Sequence, residues 1–165
     1  MYLHLERDFI TMQKTDFNGE YPVTLDNKSR ILFPAALKKQ IPAKAKNSFM
    51  MLRATDKCLA MYAIHDWEIL SNTVRRISHF NQDNLDALRF LFDGATRISI
   101  DNSNRIMIPK TLLLYAGIKK DIIIKAFLNR IAIWDEKLFH QNRVKDMPAK
   151  QKKVQKVLGS MTFEW

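Results

Sequence analysis

Glycine is scarce in this chain, four residues in 165, and none falls in a G-x-G-x-x-G or Walker-type run. The two common backbone cradles for a nucleotide phosphate are therefore missing, and no cofactor is expected. Cysteine is scarcer still. Cys58 stands alone, which excludes a disulfide framework and fits a reducing, cytoplasmic compartment. The four histidines, His4, His65, His79 and His140, lie far apart without cysteine partners, so no zinc spacing exists and no metal is expected. No apolar run approaches the roughly 18 residues that a membrane span needs. The mixed-charge start Met1–Asp8 does not resemble a signal peptide. Paired carboxylates or a nucleophile with its base do not appear at recognisable spacing, so the chain is read as non-enzymatic, with no small-molecule substrate.

What is present is an apolar share of 47%, enough for a packed core, and a formal charge of +10. The charge is unevenly placed. Residues 1–18 and 65–93 are net acidic, at −1 and −2, whereas residues 19–64, 94–139 and 140–165 carry +5, +4 and +4. Two basic blocks thus flank an acidic middle, followed by a basic tail. Such a distribution suits either a solvated surface or the footprint of a polyanion.

An internal repeat favours the second reading. Val23–Pro34 superimposes on Ile98–Pro109 with an offset of 75, and five of the nine positions from Asp26 to Pro34 are identical. Gly19 corresponds to Gly94. Beyond the proline the offset becomes 72, aligning Leu59-Ala60-Met61-Tyr62 with Ile131-Ala132-Ile133-Trp134, so the first copy holds three extra residues within Pro42–Ser48. A polar motif and an apolar pattern that match together indicate tandem duplication.

Each copy has the same local grammar. Alternation at Tyr21, Val23 and Leu25, and at Thr96, Ile98 and Ile100, predicts an opening strand. A polar loop and a short apolar strand follow, Ile31–Phe33 or Ile106–Ile108. Proline then marks helices over Pro34–Gln40 and Pro109–Tyr115, the second ended by Gly117. Ser48–Arg53 with Cys58–Tyr62, and Asp121–Phe127 with Ile131–Trp134, read as hairpins turning at Asp56-Lys57 and Asn129-Arg130. The fold class is mainly β with short helices (α+β). A unit of about 45 residues is too small to bury its own core, which predicts interleaved strands and self-association. Between the copies, Asp66 is placed as the cap of a helix bearing Trp67, Leu70, Val74 and Ile77. Asn81 is placed as the cap of a second helix bearing Leu85, Leu88 and Leu91. Residues 142–160, with six Lys and Arg, read as a mobile or partly helical tail.

The chemistry sits in the loops Asp26-Asn27-Lys28-Ser29-Arg30 and Asp101-Asn102-Ser103-Asn104-Arg105. Asp26 and Asp101 are assigned to shaping the turn, by accepting backbone N–H bonds or pairing with the arginine, with Asn27 and Asn102 supporting tight turning. Arg30 and Arg105 have two readings. They complete an internal ion pair, or the loop presents them, with Lys28, to phosphates or guanine edges. The first loop is the more basic, because Ser103 replaces Lys28 in the second.

These paired Asp-x-x-x-Arg motifs, each followed by Pro34 or Pro109, resemble those of the MraZ family, bacterial proteins with two tandem SpoVT/AbrB-like swapped-hairpin units. Trp67-Glu68 and Ala132-Ile133-Trp134 also resemble family positions. The resemblance spans about residues 19–141. It implies an N-terminal extension (1–18), a first AbrB-like unit (19–64), a helical connector (65–93), a second unit (94–139) and a basic tail (140–165). It further implies a homo-oligomeric ring that binds double-stranded DNA at direct repeats upstream of the division and cell-wall gene cluster, regulates transcription there and localises to the nucleoid. Carried over by position, Lys28, Arg30 and Arg105 match residues associated with DNA contact, and the positions after the proline where members often carry basic residues are here Ala36 and Lys38. Ser29 and Asn104 replace a frequent glycine. An alternative reading is an antitoxin-like interaction module that also binds its own promoter.

Overall fold

A computed structural model describes residues 15–159. Its contacts divide these into two compact units, the first running to Asp135 and the second starting at Glu136. The expectations for residues 1–14 and 160–165 lie outside the described residues.

In the first unit the opening strand β1 (Phe17–Thr24) leads through a loop to β2 (Arg30–Leu32), a four-residue helix α1 (Ala35–Lys38) and a 3-10 turn (Ala43–Ala45). The hairpin β3 (Ser48–Arg53) and β4 (Leu59–Ala63) follows. Helices α2 (Ile64–Arg75) and α3 (Gln82–Phe92) then lead into the second copy: β5 (Thr96–Ser99), β6 (Arg105–Met107), α4 (Lys110–Ala116), β7 (Asp121–Leu128) and β8 (Arg130–Asp135). This is the mainly-β α+β fold that the pattern indicates.

The copies are interleaved. One six-stranded sheet has the order β1-β7-β8-β4-β3-β5, and all the pairings described are antiparallel. Each copy's opening strand therefore leaves its own hairpin and pairs with the other copy's: β1 lies on β7, and β5 lies on β3. Strands β4 and β8 join the two hairpins, and β2 and β6 form a separate two-stranded ribbon. The physical reason is area. A unit this small exposes too much of its apolar surface alone, and exchanging edge strands puts Ile31, Phe33, Leu37, Phe49, Met51, Ile106, Ile108, Leu112 and Ile124 into one cluster.

Several local expectations shift. The strand β1 begins at Phe17, which is 1% exposed. Gly19, at φ +112°, breaks the alternation in sequence without ending the strand, and the Tyr21 ring lies where a Cβ at Gly19 would sit. Helix α1 ends at Lys38, and Gln40 instead bonds both backbone groups of Asn18. Gly117 ends α4 in the left-handed conformation as expected. The β7–β8 turn is centred one residue early, on Leu128 and Asn129, because Arg130 already pairs with Phe127. Asp66 is not a cap. Helix α2 starts two residues before it, leaving Asp66 in the first turn beside His65. Ile77 lies past the end of α2. Asn81 does cap α3, its side chain accepting from the Asn84 amide.

The second unit contains α5 (Glu136–Val144) and α6 (Met147–Leu158), with Lys150, Lys152, Lys153 and Lys156 on α6. The described part of the tail is thus largely helical.

Candidate nucleic-acid interface

Both Asp-x-x-x-Arg segments fold into the same closed turn. The Asp26 amide donates to the Arg30 carbonyl at 2.8 Å and the Asp101 amide to the Arg105 carbonyl at 2.9 Å. The carboxylates sit inside these loops. Asp26 Oδ1 accepts the amides of Lys28 (2.8 Å) and Arg30 (2.9 Å), and Asp101 Oδ1 accepts those of Ser103 (2.8 Å) and Arg105 (2.9 Å). These bonds stabilise the ionised form, the bond from the arginine amide foremost, so both carboxyls are held below their ordinary value of 3.8.

The side chains of the two arginines differ. Arg30 Nε donates to Asp26 Oδ2 at 2.9 Å, a charge-assisted bond that fixes the stem of the guanidinium. Arg105 Nε stands 3.6 Å from Asp101 Oδ2, an ion pair beyond hydrogen-bonding length. The internal pairing and the exposed presentation are thus compatible. The side chains remain 22% and 34% exposed respectively.

The ribbon brings the two loops together. Strand β2 pairs with β6 in the register Arg30↔Met107, Ile31↔Ile106, Leu32↔Arg105. Two further bonds extend it symmetrically, from the Phe33 amide to the Asn104 carbonyl (2.7 Å) and from the Ile108 amide to the Ser29 carbonyl (2.9 Å). Because side chains alternate along a strand, Ile31 and Ile106 point inward, each 1% exposed, while Arg30, Leu32, Arg105 and Met107 share the outer face. Ser29 and Asn104 take φ of 61° and 57°. That left-handed backbone suits glycine and costs serine more than asparagine.

Lys28 lies at the exposed tip of the first loop, and Asn27 and Asn102 are exposed beside the two carboxylates. Lys38, from α1 of the first copy, donates to the Asn104 side chain in the second copy's loop. Sequence reasoning found these residues but missed that bond, which depends on the exchange of strands. It did not single out Lys39, which lies next to Lys38 on an open groove of about 820 Å³ lined by residues 21–24 and 32–35. The positions equivalent to Lys38 and Lys39 are Leu113 and Leu114, so the first loop carries the denser positive charge. Among the described residues no group of three or more His, Cys, Asp or Glu could hold a metal ion, and no helix is long and apolar enough to cross a membrane.

Residues 17–90 and 91–158 each match the sequence model of the family described as "MraZ protein, putative antitoxin-like". The chain belongs to the MraZ family. Its similarity extends to proteins named transcriptional regulator MraZ. The one from Clostridium beijerinckii is 37% identical over 73% of this chain and 82% of its own length. That from Clostridium tetani is 34% identical over 76% and 85%, and that from Christiangramia forsetii 29% identical over 88% and 95%. The MraZ match covers both repeats, so it includes both Asp-x-x-x-Arg turns and the ribbon between them.

Proposed function

We propose that this chain is a non-enzymatic transcriptional regulator that binds double-stranded DNA through its two Asp-x-x-x-Arg turns. Kinship with proteins named transcriptional regulators supports the general role. The observation that carries the DNA-binding reading is the pair of partly exposed arginine side chains held in register on one outward face. Arginine forks suit both phosphates and guanine edges, and the Asp26 bond preorganises the Arg30 fork before DNA arrives. Arg30, Lys28 and Lys38 form the principal contact, and Arg105 the secondary one. Asp26, Asp101, Asn27 and Asn102 hold the loops in shape.

One such face binds weakly at physiological salt. A homo-oligomeric ring presents several faces to successive direct repeats and gains affinity through effective concentration. The targets on this reading are repeats upstream of the division and cell-wall gene cluster, which places the protein in the cytoplasm at the nucleoid. The test is a nuclease footprint on DNA upstream of its own gene, combined with the mass of the assembly in solution. Protection at regular repeats by a multimer supports the reading; no protection by a well-folded protein refutes it. The antitoxin-like description of the family gives a second reading. Recovery of a stoichiometric small protein partner from the source cell, without footprint, would favour it.

A further inference from the structure

The outer face of the ribbon contains more than its arginines. Leu32 is 62% exposed and Met107 is 59% exposed, although each belongs to a strand whose neighbouring residue is buried. A single exposed apolar side chain is ordinary. Here the two occupy repeat-equivalent positions, and each stands directly across the ribbon from an arginine: Leu32 from Arg105, Met107 from Arg30. Apolar and cationic groups therefore alternate as a four-point checkerboard.

We infer that Leu32 and Met107 are specificity-determining residues that contact the C5 methyl groups of thymines in the major groove. The inference rests on the DNA-binding reading above. The groove is about 12 Å wide and admits a two-stranded β-ribbon, and the thymine methyl is its apolar feature. Diagonal neighbours in an antiparallel pair lie about 7–8 Å apart, close to two base steps of about 3.4 Å each. The ribbon thus reads two methyl-bearing bases about two steps apart, while Arg30 and Arg105 hold the adjoining phosphates or guanines. The flanking positive charge commits this apolar face to a polyanion with methyl groups. An uncharged partner would desolvate both guanidiniums while offering no counter-charge beyond Asp26 and Asp101.

The test uses the full-length protein and a duplex enriched by it from a random pool, synthesised once with thymine and once with uracil throughout. Wild type binds the thymine duplex more tightly, by about fourfold for each methyl buried. Leu32→Ala and Met107→Ala each lose their share of that preference, and the double variant loses it all. Arg30→Ala weakens both duplexes and keeps the preference, which separates the two hypotheses. Equal binding of both duplexes by wild type overturns the inference and leaves the arginine reading standing. Undiminished preference in the double alanine variant also overturns it, as does a change in assembly mass with Leu32→Ala, which places that residue between subunits. Failure of the protein to enrich any duplex overturns both readings.

Discussion

The Nε of Arg30 donates to Oδ2 of Asp26 at 2.9 Å, while the other oxygen of that carboxylate takes the amides of Lys28 and Arg30. One side chain thus shapes the backbone of the turn and aims its guanidinium. The second copy repeats the backbone bonds and relaxes the side-chain one, with Arg105 Nε at 3.6 Å. The two turns have one architecture and differ in how tightly they hold their arginine.

Acid should loosen both turns. Asp26 and Asp101 titrate below their ordinary value of 3.8 because the ionised form is hydrogen-bonded in the folded chain. Their contribution is complete above the unfolded value and disappears as pH falls through the lower folded one. Amide resonances of Lys28, Arg30, Ser103 and Arg105, followed by NMR, should shift with midpoints below 3.8. Midpoints at or above that value would contradict the hydrogen-bonding scheme.

Left-handed backbone at Ser29 and Asn104 gives a stability prediction. Ser29→Gly relieves a strained φ and should stabilise the protein by about 1 kcal/mol. Asn104→Gly should gain less, because asparagine tolerates this region better. Thermal or denaturant unfolding of the two variants checks the order. A fall in stability for Ser29→Gly would mean that its loop adopts another conformation.

Exchange of opening strands makes the copies interdependent. A chain of residues 15–93 alone loses β7 from β1, β6 from β2, β5 from β3 and β8 from β4. It should be unfolded as a monomer, or should fold only by pairing with a second identical copy. Sedimentation with circular dichroism decides this, and a folded, concentration-independent monomer would contradict the topology.

Cys58 should be inert in the native state. It is 1% exposed, and burial pushes its thiol up to about 11. At pH 8 a thiol reagent should label it only as fast as the protein opens. Rapid labelling of the folded protein would show that the site is accessible.

Much of this arrangement was legible in the residues themselves. The duplicated Asp, Arg and Pro positions mark both turns, alternation marks the strands, and Gly117 marks the end of α4. Asn81 was readable as a cap because its side chain acts on an amide three residues away. Asp66 misled because an acidic residue is equally favourable inside a first turn, where it meets the helix dipole. The β7–β8 turn misled because Leu128, a residue with no turn propensity, takes φ +53°. Pairings that join distant segments, such as Lys38 with Asn104, depend on which copy's strand joins which hairpin. The outer face of Arg30, Leu32, Arg105 and Met107 was not legible, because the apolar run points to a strand at Ile31–Phe33 whereas β2 starts at Arg30, and the pairing required the register of β2 against β6.

The most direct test of the central claim is an anisotropy titration of the DNA upstream of its own gene, repeated over a range of salt. It compares the wild type with an Arg30→Ala, Arg105→Ala double variant of unchanged fold and assembly mass. Wild-type affinity should fall steeply with salt, and the double variant should bind at least about tenfold more weakly. Wild-type affinity and salt dependence in the double variant would contradict the account.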